Sequence, residues 1–278
     1  MNRKQRRATR VQERQRARTS PPEPTRTSAT GKVRLTAPES GIASFLWQQE
    51  CRLHLNLAGG HLSVLAPLIE RAYEAAFEAL PTPLNLLLWR LLTLCHRGFL
   101  AAVGTIARGQ PDDAGAVTRR ALEMAKVAIA VKHDPANAGR WAAYETRIAR
   151  WKARAEGEKP ARVQLPQLTY PQNHAVLGQI NTFIGVLSDA EVHFTPEFLT
   201  QQPLARRAGH VLAPYFVSEP ADLDRAARTL AMSQYAILQA FDEAFDHTFA
   251  RSEPFRQAMH TLGAIGGQLA TAGATPPR

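Results

Sequence analysis

An all-α fold, an irregular multi-helix bundle with a disordered basic N-terminal arm, is predicted by three features of this 278-residue sequence. Beyond about residue 40, apolar residues recur at three- and four-residue steps, the spacing of one helix face. Cap-and-proline signals such as Thr82-Pro83 and Asp134-Pro135 cut those stripes into segments. No series of alternating runs long enough to build a sheet stands between them. The organisation expected is an arm over 1–36, a single helical domain over 37–270 and a disordered tail over 271–278.

Residues 1–36 read as disordered, because Pro21, Pro22 and Pro24 among Ser and Thr bury too little to offset ordering entropy. Ile42, Phe45 and Leu46 then begin a stripe, while Leu53, Leu55 and Leu57 alternate, so the first helix is the weakest prediction. Leu62, Leu65, Ile69, Tyr73, Ala76 and Leu80 form one helical face, ended by Pro81. Thr82 as N-cap and Pro83 at N1 start a third helix over about 83–108, apolar around much of its circumference and expected at the centre of the bundle. Gly109 closes it.

Pro111 and Asp112 open a fourth helix to about Lys132. Asp134-Pro135 opens a fifth to about Glu156, whose stripe Trp141, Tyr144, Ile148 and Trp151 is expected to be buried. A Pro-punctuated loop over 157–172 leads to a sixth helix, about 174–187, with Leu177, Ile180, Ile184 and Leu187 inward. Ser188-x-x-Glu191 is a capping-box pattern, and Thr195-Pro196 starts another turn. Within 203–218, Val211–Val217 reads equally as a short strand or an extended loop. A long helix from Pro220 to about Phe249 carries Leu223, Leu230, Ile237, Phe241 and Phe245 on one face. Ser252-Glu253-Pro254 caps a last helix that fades at Gly263, Gly266 and Gly267. Short connections favour antiparallel neighbours.

The net charge of +10 belongs almost wholly to the arm. Residues 1–34 hold eleven Lys/Arg and two acids; the remaining residues hold 23 basic and 22 acidic groups. Arg3, Lys4, Arg6, Arg7, Arg10, Arg14, Arg16 and Arg18 are the candidate phosphate contacts, since a flexible cationic segment neutralises phosphates and releases counterions. The arm has no aromatic residue for base stacking. On the fifth helix, Arg140, Arg147, Arg150 and Arg154 fall within an arc of about 80° and form a second basic ridge. A solvated helix face is the commoner explanation of such a ridge.

Two cysteines, Cys51 and Cys95, without CxxC spacing fit a reducing cytoplasm better than a disulfide framework. No apolar run of bilayer length is free of charge; the closest, Leu84–Ile106, contains Arg90, His96 and Arg97. No phosphate-binding glycine loop, HExxH, Gly-x-Ser-x-Gly or CxxC motif occurs. Asp242, Glu243, Asp246 and His247 cluster on one helix, but no Glu-x-x-His accompanies them, so neither a metal nor another cofactor is expected. Apolar long helices leave a homo-oligomer open as a partner, beside nucleic acid.

Two constellations carry chemistry. Arg90-x5-His96 resembles the motif of HEPN-type helical ribonucleases, in which an Arg and a His act on RNA phosphodiesters; one such spacing does not exceed chance for nine histidines. Arg119 and Glu123 are i,i+4 neighbours that an intrahelical ion pair explains. Buried against His193, they would orient its imidazole for acid–base or phosphate chemistry. The sequence Thr118-Arg119-Arg120-Ala121-Leu122-Glu123, followed by His133-Asp134-Pro135 and the Ser188-x4-His193 turn, resembles an uncharacterised bacterial all-helical family. That resemblance, spanning roughly residues 84–200, implies a helical fold and the three positions Arg119, Glu123 and His193, and no reaction. Two function classes follow: a helical interaction or scaffold protein with non-specific nucleic-acid contact through its arm, and a phosphate-handling or RNA-cleaving enzyme using His193 or Arg90 with His96.

Overall fold

The computed structural model describes residues 41–80, 85–152, 164–188, 205–207, 210–212 and 220–272. The arm expected over 1–36, the Thr82-Pro83 signal, the turns expected after Ser188 and Thr195, His193, and the tail from 273 onward lie outside the described residues.

Eight α-helices are described: α1 (Gly41–Leu57), α2 (Leu62–Glu78), α3 (Leu86–Ala107), α4 (Pro111–His133), α5 (Ala136–Lys152), α6 (Ala175–Leu187), α7 (Pro220–Ala244) and α8 (Glu253–Ala272). A 3-10 turn, Phe249–Arg251, joins the last two. Between α6 and α7, β1 (Ala205–Arg207) and β2 (His210–Leu212) pair antiparallel, with Arg206 opposite Val211. The extended backbone in that region thus starts earlier than Val211, as a minimal hairpin beside an all-α bundle.

Local chemistry sets the boundaries. Asn85, extended at φ −127°, accepts from Leu88 N and caps α3, so that helix begins behind an Asn cap. Gly109 takes φ +81°, and Gly109 N and Gln110 N bond back to Ile106 O and Thr105 O. This left-handed close is one that glycine adopts without strain. Asp134 accepts from Ala136 N and starts α5. The helix expected to reach Phe249 instead ends at Ala244. The Asp242 carboxylate accepts from His247 Nδ1 and Ala250 N, while Asp246 and His247 turn left-handed at φ 57° and 56°. α8 runs through Gly263, where it lies against Tyr235, rather than fading there.

The core is one contiguous cluster around α7 and α4. α7 lies against α2, α3, α4, α6 and α8, and α4 lies against α3, α5, α6 and α7. Small residues on α4 (Ala114, Gly115, Ala121, Ala125, Ala128) are buried, and small contact residues allow short interaxial distances. Phe241, Phe249, Tyr73 and Phe99 are the largest fully buried side chains. Each such burial stabilises the fold by about 1.5–3 kcal/mol.

The central place expected for α3 goes to α7 and α4. α3 spreads its leucines around its circumference, so not all of them can face the core. Leu86, Leu94 and Leu100 of α3 remain 64%, 40% and 49% exposed. By length and composition α3 is the one described helix able to cross a membrane; it packs along α4, α7 and α1.

The fifth helix departs furthest from expectation. Asn137 is its single buried residue; Trp141, Tyr144 and Ile148 are half-buried and Trp151 is exposed. α5 packs chiefly on α4 through its N-terminal end, so its stripe extends past the support that would bury it.

Candidate functional site

Arg119 and Glu123 form an i,i+4 ion pair, Arg119 Nε to Glu123 Oε1, at 3.7 Å on the surface of α4. The Glu123 side chain is half exposed, and such a pair is worth about 0.2–0.5 kcal/mol. Beside it, Lys126 Nζ lies 5.6 Å from the Tyr170 ring centre. Burial, aided by the Glu123 charge, pushes the Tyr170 phenol above its ordinary range. His193 lies outside the described residues.

Arg90 and His96 are held by different helices. Six residues apart on α3, they point about 120° apart around its axis. Arg90 Nη1 reaches Glu145 of α5 at 3.3 Å, and Trp141 Nε1 also donates to Glu145. His96 Nε2 lies 2.9 and 3.1 Å from the two oxygens of Glu70 on α2. The His96 ring sits among Tyr73, Phe77 and Phe99, with centroids at 4.7, 5.5 and 6.3 Å. Behind it, Tyr73 donates to Gln234 Oε1 at 2.7 Å. Burial, with the Cys95 and Glu70 charges, holds the Tyr73 phenol well above its ordinary value. Burial likewise pushes the Cys95 thiol far up, and its Sγ donates to Ala121 O. These groups form a rigid, neutral wall behind the Glu70–His96 pair. A single helix face could not disclose Glu70, because its partner lies 26 residues away.

Of three further His–carboxylate pairs, two join distant elements and one is local to the end of α7. His61 Nδ1 lies 2.9 Å from Asp224 Oδ2, and Arg228 Nη2 lies 3.0 Å from His61 Nε2. Arginine can only donate, so Nε2 accepts and the proton sits on Nδ1. Asp224 also accepts from His61 N. Burial pushes the Asp224 carboxyl up, but the His61 backbone and side-chain bonds and the Arg228 charge outweigh it and leave the group below its ordinary value. Gly60 takes φ +65° in this turn, where a Cβ would lie 3.1 Å from Asp224 Oδ1. The cluster ties the α1–α2 turn to the start of α7.

His174 Nδ1 accepts from Leu177 N as the cap of α6, while Nε2 reaches Glu243 at 2.6 Å. His247 pairs with Asp242 at 3.0 Å, and Lys132 bonds Asp246. Of the four acid and His residues expected to cluster on one helix, Asp242 and His247 thus close the end of α7, while Glu243 reaches the α6 cap and Asp246 reaches α4. Among the described residues no His, Cys, Asp and Glu group could hold a metal ion.

The basic ridge on α5 divides in two. Arg140 bonds Asp134 Oδ2, Asn137 Oδ1 and Thr169 Oγ1 at the surface, at 3.0, 2.5 and 3.1 Å. With Asn137, which bonds Ala130 O, Thr169 O and Thr169 N, it fastens the loop before α6. Arg147, Arg150 and Lys152 are exposed, and among the described residues they form no ion pair. On the same helix the Tyr144 and Trp141 rings pack 5.5 Å apart. Arg154 and the arm cations (Arg3, Lys4, Arg6, Arg7, Arg10, Arg14, Arg16, Arg18) lie outside the described residues.

No family model matches the chain, and neither a curated protein nor a solved structure matches it.

Proposed function

We propose that this chain is a helical interaction protein that contacts nucleic acid without sequence preference, through the cations of residues 1–34 and the exposed half of α5. One observation carries the reading beyond net charge. α5 leaves Tyr144 and Trp141 only half covered on a helix whose Arg147, Arg150 and Lys152 are exposed. Aromatic faces stack on unpaired bases while cations follow the phosphates, the two contacts of single-strand binding. Three exposed cations on one helix repel cationic partners and attract polyanions. The cytoplasm supplies both the polyanion and the reducing conditions that keep the exposed Cys51 thiol free.

The test is fluorescence anisotropy with a labelled single-stranded oligonucleotide of mixed sequence. Removal of residues 1–34 weakens binding steeply, and Tyr144→Ala weakens single-strand binding by about tenfold, corresponding to a stacking contact of 1–3 kcal/mol. Unchanged affinity in the truncated chain refutes the reading.

A further inference from the structure

A groove of about 320 Å³ lies between α1, α2 and α3, with Glu70 and Phe99 of the aromatic wall both in its lining. Leu57, Leu62, Phe99, Leu100 and Val103 line it, and the one charged group in its lining is Glu70. Its volume falls at the small end of ligand sites, which combine apolar walls with a few placed polar groups.

The chemistry of the lining selects an occupant. His96 approaches both Glu70 oxygens through one nitrogen, Nε2, which has at most one proton to donate to them. An ionised carboxylate accepts several more bonds than that. Glu70 is about one-third exposed and lines the groove, which makes it reachable from that side. Phe99 adds a ring to the same lining, and a ring face attracts a cation. Leu57 and Leu100 keep the mouth apolar, at 39% and 49% exposure.

We propose that this groove binds a small amphiphilic amine, its ammonium group on Glu70 beside Phe99 and its alkyl body along Leu57, Leu62, Leu100 and Val103. An anionic amphiphile meets the Glu70 charge and is rejected. A neutral one of the same length gains the apolar contacts alone. His96 is a positioning residue: it fixes the carboxylate and does not touch the ligand. The site is independent of the nucleic-acid surface on α5.

Calorimetric titration of the full chain with octylammonium, 1-octanol and octanoate tests the proposal. Octylammonium binds about tenfold tighter than octanol, the scale of one charge-assisted contact with a cation–π contribution. Octanoate binds weakest. Glu70→Gln brings octylammonium down to the level of octanol. Leu100→Arg, at an exposed position where folding tolerates the change, blocks both; circular dichroism verifies that it stays helical. Equal affinity for octylammonium and octanol in the unaltered chain overturns the proposal. So does octylammonium binding that survives Leu100→Arg in a folded protein, or the failure of all three probes to bind.

Discussion

The Tyr73–Gln234 bond links α2 to α7 at the centre of the core, and it offers a sharp test of how the bundle is held. Both residues are 0% exposed, and the Tyr73 hydroxyl donates to Gln234 Oε1 at 2.7 Å. Gln234 Nε2 is buried with no hydrogen-bond partner among the described residues. Tyr73→Phe removes the one side-chain bond of that amide and leaves all of it unsatisfied. A buried polar group without a partner costs about 1–3 kcal/mol. Equilibrium urea unfolding followed by far-ultraviolet circular dichroism reads this as a midpoint lowered by about 0.3–1 M, for a slope near 3 kcal/mol/M. Adding Gln234→Leu replaces the second partner and also removes the orphan Nε2, so the double variant recovers most of the loss. That non-additivity is the signature of a direct bond. A midpoint unmoved by Tyr73→Phe, or a double variant less stable than Tyr73→Phe alone, refutes the reasoning.

Three further outcomes are expected. Titration with an aromatic disulfide reagent modifies one thiol in the native chain and two in denaturant, because Cys51 is exposed while Cys95 is buried with its thiol held protonated. Asn137→Ala costs about 1–3 kcal/mol, since Ala130 O and Thr169 lose a buried partner, and amide exchange quickens at Thr169. The Asp134 carboxyl lies below its ordinary value because Ala136 N and then Arg140 bond it. Its stabilisation is therefore present above the ordinary carboxylate range and fades as pH falls through the folded-state value. Asp134→Asn flattens that part of the acid unfolding curve, and an unchanged slope contradicts the assignment.

Much of the bundle is legible in periodicity. Leu62, Leu65, Ile69, Tyr73, Ala76 and Leu80 are all buried, as are Leu230, Ile237, Phe241 and Phe245. A stripe fixes which face a helix buries, and helix packing honours it wherever a partner runs alongside. Trp141, Tyr144, Ile148 and Trp151 show the limit: the stripe is real, but α5 runs past its support on α4. No pattern within one helix states how far its neighbour extends. The end of α7 was hidden for a similar reason, since Asp242 captures an amide eight residues onward and cuts the helix before Phe249. At the candidate sites, local pairs were legible and distant ones were not. Arg119–Glu123 follows from i,i+4 spacing, whereas Glu70–His96 and His61–Asp224 arise only when helices pack. Arg140 shared an arc with Arg147 and Arg150, yet the Asp134 cap and Thr169 tie it down at the surface.

The salt dependence of single-strand binding tests the central claim most directly. For single strands, the logarithm of the binding constant falls against the logarithm of salt with a slope of about −0.7 per phosphate neutralised. Neutralising Arg147, Arg150 and Lys152 together to Gln in the full chain should therefore make that slope shallower by about 2. A slope and affinity identical to those of the unaltered chain would remove α5 from the interface and contradict the account.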